Sequence, residues 1–209
     1  MISIDGNGLT LDEVVRVARQ REKVEISPAG RQQLAASRAI VDKLLDSAKP
    51  VYGISTGFGN LSQIWISPEE REALQRNLIL SHAAGVGDYL PEDVVRTAML
   101  MRANSLVKGY SGIRPVTVEM LLELLNRGVY PAVPSKGSVG ASGDLSPLSH
   151  IALVLMGEGK AFVAGKLVTG AEALAAVGLF PVAFAAKEGL ALINGTQIMT
   201  AVGALVVHD

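Results

Sequence analysis

SVGASGDLSP, Ser138 to Pro147, places Gly140, Ala141, Ser142 and Gly143 in consecutive positions with almost no side-chain bulk between them. The stretch closes on Ser146-Pro147, a pair that opens helices, because serine caps free amides and proline tolerates a first turn that needs no N–H. It therefore reads as a tight loop delivered to a helix N-terminus. Pro131 and Pro134 hold the chain extended on the way in, and SPLSHIALVLMGEG continues as an apolar helix on the way out.

Working outward, helix signals dominate. Ser67-Pro68-Glu69-Glu70 combines an N-cap, a starting proline and a capping-box glutamate, and the helix it opens ends near His82. Pro91-Glu92-Asp93 opens another through Leu106, and Pro115 opens one that Gly128 should terminate. Nearer the amino terminus, short strands ISID and KVEIS alternate with two helices. The first is opened by the capping box Thr10 to Glu13. The second, from Ser27-Pro28 to about Asp46, carries Leu34, Ile40, Val41, Leu44 and Leu45 as its apolar stripe. A loop with three glycines follows, VYGISTGFGN from Val51 to Asn60. Downstream, KAFVAGKLVTG predicts a hairpin around Ala164-Gly165, then a helix through AEALAAVG, then a long apolar helix from Gly189 with no glycine or proline terminator. The pattern predicts a mainly α fold: a small α/β amino-terminal region followed by the start of a long-helix bundle.

Composition narrows the function. Of 209 residues, 49% are hydrophobic and only 4% aromatic, so the core is aliphatic. A formal net charge of −1 offers no field for a polyanion or an acidic membrane surface, which argues against nucleic-acid or membrane partners. There is no cysteine, so thiolate nucleophiles, disulfides and Cys-ligated metals are excluded, and a cytoplasmic location is expected. Asp5 stands where an export signal needs basic and apolar residues. The run Gly189 to Val207 is long enough to span a bilayer, but Asn194, Thr196, Gln197 and Thr200 interrupt it, so a buried core helix is expected.

Most site chemistries fail on spelling. No lysine follows Gly143 as a P-loop requires, and Gly57-Phe58-Gly59 lacks the third glycine of a dinucleotide fingerprint. His82, His150 and His208 make no metal-ligand pair, so no metal is expected, and Ser142 does not sit in G-x-S-x-G. One option treats the backbone as reactant. In a compressed loop the Gly143 nitrogen can attack the Ala141 carbonyl carbon, and loss of water there and from Ser142 leaves an electrophilic methylene. Gly143 supplies an unhindered nitrogen, Ala141 crowds the ring least, and Ser142 carries the hydroxyl that leaves. Asp144 is placed to orient the loop or accept a proton.

The sequence resembles the histidine and aromatic amino-acid ammonia-lyases. The resemblance is carried by YGISTGFG (Tyr52 to Gly59), QRNLILSHAAGVG (Gln75 to Gly87), GVYPAVPSKGSVGASGDLSPLSH (Gly128 to His150) and ALINGTQIMTAVGAL (Ala191 to Leu205). SHAAGVG, with Ser81 before His82, looks more like the histidine enzymes than the tyrosine or phenylalanine ones.

The resemblance implies that Ala141, Ser142 and Gly143 form a 4-methylidene-imidazole-5-one group (MIO). It also implies that Tyr52 is the β-proton base, that His82 faces the substrate side chain, and that Asn194 holds the substrate carboxylate. A free phenol titrates near about 10, so such a base needs a site that lowers the value or an alkaline medium. His150 reads as structural, Gln197 as helix packing, and His208 carries no role. The resemblance further implies a MIO-bearing region over residues 1–190, with 191–209 beginning a central helical bundle that further chain completes, and a homotetramer acting on a small amino acid. Without those further helices, the last segment is expected to expose an apolar face. An aminomutase, a tyrosine or phenylalanine lyase, and a non-catalytic fragment whose triplet stays uncyclised are the alternatives.

Overall fold

The computed structural model describes residues 1–47 and 50–209. The amino-terminal region is a βαβ unit: strand β1 (Ile2–Ile4), helix α1 (Leu11–Gln20) and strand β2 (Val24–Ile26), the strands parallel with Ile2 opposite Val24 and Ile4 opposite Ile26. Those four side chains are buried while Ser3 and Glu25 point out, the period of two expected of a half-buried strand. The capping box at Thr10 forms as read: Glu13 N donates to Thr10 Oγ1, and Glu13 Oε2 accepts from Thr10 N at 2.9 Å. Helix α2 (Pro28–Leu45) starts at the Ser27 cap.

One detail of α2 departs from the expected stripe. Ile40 is 61% exposed, and the buried positions are Gly30, Leu34, Arg38 and Val41. At 3.6 residues per turn, six residues from Leu34 carry Ile40 roughly 240° around the helix and away from the core. Arg38 takes the inward place, donating from Nη1 to the carbonyls of Gly112 and Ala186.

A short 3-10 turn (Pro68–Glu70), capped by Ser67, leads into α3 (Arg71–His82). Next come β3 (Val86–Tyr89), α4 (Glu92–Val107) and α5 (Pro115–Asn126). Helix α4 is the centre of the molecule: Val95, Ala98, Met99, Leu100, Ala103, Leu106 and Val107 have no exposed surface. Each large side chain buried there stabilises the fold by about 1.5–3 kcal/mol. Arg96 on the same helix is 1% exposed and donates to the carbonyls of Val17, Ala18 and Leu125, closing the carboxyl ends of α1 and α5.

The prolines at 131 and 134 hold extended strands β4 (Val129–Pro131) and β5 (Pro134–Lys136), and β5 pairs antiparallel with β3. Helix α6 (Leu145–Leu155) begins one residue before Ser146, with Asp144 at its N-cap; Pro147 stands in its first turn, where the missing N–H costs nothing. The predicted hairpin is present as β6 (Lys160–Val163) and β7 (Lys166–Thr169), turning on Ala164 and Gly165, both with positive φ, and β4 joins it as a third strand. Helix α7 (Gly170–Ala176) follows.

The long apolar helix expected from Gly189 is two helices, α8 (Glu188–Ile193) and α9 (Gln197–His208), separated by Asn194, Gly195 and Thr196. Helix α8 is buried and anchored by Glu188, fully enclosed, whose carboxylate accepts from Arg114 N, Thr117 Oγ1 and Ala185 N and pairs with Arg114 Nη2 at 2.6 Å. Helix α9 packs one face on α4 and α1. Its other face leaves Met199, Val202, Val206 and Val207 in solvent, so the segment is not the wholly buried core helix expected.

Candidate active site

A cavity of about 490 Å³ opens between the 51–61 loop, the inner face of α3 and the facing residues Leu145, Leu190 and Ile193. On α3, Leu74, Leu78 and His82 recur every fourth residue and so share one face, with Asn77 and Ser81 alongside. The wall is largely apolar. Its polar groups are Tyr52, Asn77, Ser81 and His82.

His82 has a defined orientation. Its Nδ1 lies 2.8 Å from the carbonyl oxygen of Leu78, which can only accept, so in the neutral ring Nδ1 carries the hydrogen and Nε2 is an acceptor. Among the described residues Nε2 has no partner. Ser81 Oγ, donating to the same carbonyl at 2.9 Å, sits 3.1 Å from Nδ1 and backs the ring.

Tyr52 is held by its loop. Ile54 and Ser55 both donate their amides to the Val51 carbonyl, Gly53 takes φ +69, and buried Ile54, Ser55 and Thr56 pin the segment from below. The phenol ring stands edge-on to Phe58, with centroids 6.2 Å apart.

The triplet forms a tight turn between two left-handed glycines, Gly140 at φ +80 and Gly143 at φ +82. Gly143 N donates to the Gly140 carbonyl at 3.3 Å, and Val139 N donates back to the Gly143 carbonyl at 3.2 Å. A Cβ on Gly143 would fall 2.8 Å from Ser138 Oγ, and one on Gly140 the same distance from Leu145. Only glycine fits at both ends of Ala141-Ser142, so the residues present suit a ring closed through the Gly143 nitrogen. Ser142 Oγ accepts from Asp144 N at 3.2 Å.

Asp144, 6% exposed, ties this turn to a distant helix: its Oδ2 accepts from Ile198 N at 2.8 Å and Met199 N at 3.2 Å, capping α9 from outside. An anion at a helix N-terminus satisfies free amides and meets the positive end of the dipole. Asn194 ends α8 with an extended backbone, exposed, next to Ile193 in the cavity wall. Tyr52 and His82 therefore line the cavity themselves, while the triplet and Asn194 do not: Asn194 directly follows Ile193 of the wall, and the triplet precedes Leu145 by two residues.

Of the other histidines, His150 accepts from Gly85 N through Nε2 at 3.1 Å, tying α6 to the segment after His82, and burial pushes its ring below the usual imidazole value. The sequence reading missed the apolar walls Leu74, Leu190 and Ile193 and the polar Asn77. The fourfold spacing 74, 78, 82 was the available signal. Gln197 braces the α8–α9 junction, accepting from Arg102 Nη1 at 2.9 Å and donating to Ser105 Oγ.

A family model described as aromatic amino acid lyase matches residues 9–209. The chain belongs to the aromatic amino acid lyase family. The histidine ammonia-lyase of Alkaliphilus oremlandii is 56% identical over 208 residues, which cover 100% of this chain and 41% of that relative. The crystal structure of histidine ammonia-lyase from Trypanosoma cruzi superposes with a TM-score of 0.91 at 41% identity, over 99% of this chain and 40% of that one. Tyrosine aminomutase from Streptomyces globisporus is similar at a TM-score of 0.90 and 41% identity, over 99% of this chain and 39% of that one. This member of the aromatic amino acid lyase family thus spans about 41% of the length of the curated relative it matches at 56% identity.

Proposed function

We propose that this chain is the amino-terminal part of a lyase that eliminates ammonia from L-histidine to give urocanate. The observation that carries the substrate is His82: an imidazole with its hydrogen turned to its own helix and an acceptor left over, in the wall of a largely apolar cavity. Such an acceptor takes a hydrogen bond from a ring N–H and has nothing to offer a phenyl group. The naming of the relatives as histidine ammonia-lyases supports the same reading.

In this reading Ala141, Ser142 and Gly143 supply the MIO group, which when present offers an electrophile to the substrate amine and makes it a better leaving group. Tyr52 Oη takes the β-proton, His82 Nε2 orients the substrate imidazole, and the Asn194 amide donates to the carboxylate. Asp144 fixes the turn through α9. The apolar walls of the cavity exclude water from the ring. Residues 1–190 form the MIO-bearing region and 191–209 the first part of a helical bundle, and the outward apolar face of α9 supports assembly into a homotetramer.

The test uses the whole gene product. Urocanate from histidine is expected, together with an intact mass lower than the sequence mass by two waters. Product from tyrosine or phenylalanine with none from histidine overturns the substrate, and an unmodified mass overturns the cyclised triplet. The likeness to tyrosine aminomutase favours one second reading, return of the amine to the β-carbon, which a β-amino acid product would reveal.

A further inference from the structure

Arg102 lies on α4, 6% exposed, and has no carboxylate partner among the described residues. Burial pushes its guanidinium down to about 10, so it remains a cation at neutral pH. Its two terminal nitrogens go to the α8–α9 junction. Nη2 donates to the carbonyl of Ala191, and Nη1 donates to Gln197 Oε1 at 2.9 Å.

These acceptors are specific to the break. In an unbroken helix the Ala191 carbonyl would accept from the amide of residue 195, and the amides of residues 198 and 199 would donate to the carbonyls of 194 and 195. Here Arg102 takes the first place. Asp144 Oδ2 takes the other two, at 2.8 Å and 3.2 Å. A cation thus closes the carboxyl end of α8 and an anion the amino end of α9, each matched to the dipole end it meets. Gly195 completes the fit, because a Cβ there would lie 2.3 Å from Arg102 Nη1 and 2.0 Å from Gln197 Oε1. The interruption of the apolar helix is therefore built by three separate parts of the chain, and it is the interruption that carries Asn194.

We propose that Arg102 is a positioning residue: by replacing the helix's own hydrogen bond at Ala191 and holding Gln197, it fixes the break at residues 194–196 and so the placement of Asn194 directly after Ile193 of the cavity wall. The proposal rests on the reading of Asn194 as the carboxylate partner.

The experiment is a double-mutant cycle in the whole gene product, reading kcat and KM for histidine, intact mass and thermal midpoint. Arg102→Met keeps volume and removes both donors, while Arg102→Lys keeps the charge but serves only one acceptor at a time. Arg102→Met should raise KM about tenfold or more, as the loss of charged hydrogen bonds does, with Arg102→Lys between it and the parent. In an Asn194→Ala background Arg102→Met should add almost nothing, because both changes act through one side chain. If Arg102→Met does not fold, Arg102→Lys and Gln197→Met carry the same comparison. Additive losses in the double variant, or parental KM and kcat in Arg102→Met while Asn194→Ala is impaired, would overturn the proposal alone. Parental kinetics in Asn194→Ala would overturn the Asn194 reading, and the proposal with it.

Discussion

Tyr52 is 55% exposed and its ring touches Phe58 edge-on, so removing its hydroxyl leaves the packing of the loop intact. On the proposed reading of Tyr52 as the β-proton base, Tyr52→Phe in the whole gene product should keep KM near the parent while kcat falls about 10²–10⁴-fold, the usual worth of a positioned general base. Steady-state urocanate production measures both. His150 gives a pH prediction. Its Nε2 must be unprotonated to accept from Gly85 N, and burial holds its ring below the ordinary value of 6.5. Below about 6.5 the unfolded chain binds a proton that the folded chain refuses. This contribution to stability is therefore complete above the unfolded value and is lost as pH falls from there toward the folded one. Denaturant titrations across this range should show a smaller pH slope for His150→Gln, which keeps an acceptor without titrating; an equal slope would assign the dependence to other groups. At this scale the sequence was partly legible. Tyr52, His82 and the triplet stand in recognisable strings, whereas the tautomer of His82 depends on a carbonyl one turn back and emerges only from the folded helix.

At the scale of elements, what could be read was local. The Thr10 box, the Ser27 and Ser67 caps, and the Ala164-Gly165 turn each depend on residues within four positions of one another, and each forms. The α8–α9 break was not legible, because the groups that stabilise it, Arg102 and Asp144, lie 89 and 54 residues from their partners Ala191 and Ile198. Strand β3 was missed for a similar reason: Val86–Tyr89 is exposed throughout and contains Gly87 and Asp88, so only its pairing with β5 makes it a strand. Arg96 shows how far such distant polar contacts hold the core together. Arg96→Met should destabilise the fold by roughly 2–4 kcal/mol, since methionine fills the space but withdraws the donors to the carbonyls of Val17 and Ala18, whereas that of Leu125 keeps the Gly128 amide. Equilibrium denaturation reads this directly, and a loss under about 0.5 kcal/mol would show that the carbonyls find other partners.

At the scale of the molecule, the outward face of α9 is the clearest unpartnered surface. Met199, Val202 and Val206 follow one stripe at spacings of three and four, and they are 62%, 42% and 70% exposed. The 209-residue chain by itself should self-associate through this stripe, and replacing the three residues with lysine should shift it toward monomer in sedimentation velocity. An unchanged distribution would place the contact elsewhere. The mainly α architecture was legible because its helix starts are signalled locally. The one-sidedness of α9 was legible only through the resemblance, since its composition alone reads as core.

The carboxylate of Asp144 also imposes an order on synthesis. The turn of Ala141, Ser142 and Gly143 is complete in sequence at Gly143, yet the amides that steady it through Asp144 belong to Ile198 and Met199. A ribosome must add more than fifty further residues, and α9 must dock on α4, before the turn is held from both sides. On the proposed reading, a chain that stops short of α9 lacks the amides that steady the turn where the electrophile would form.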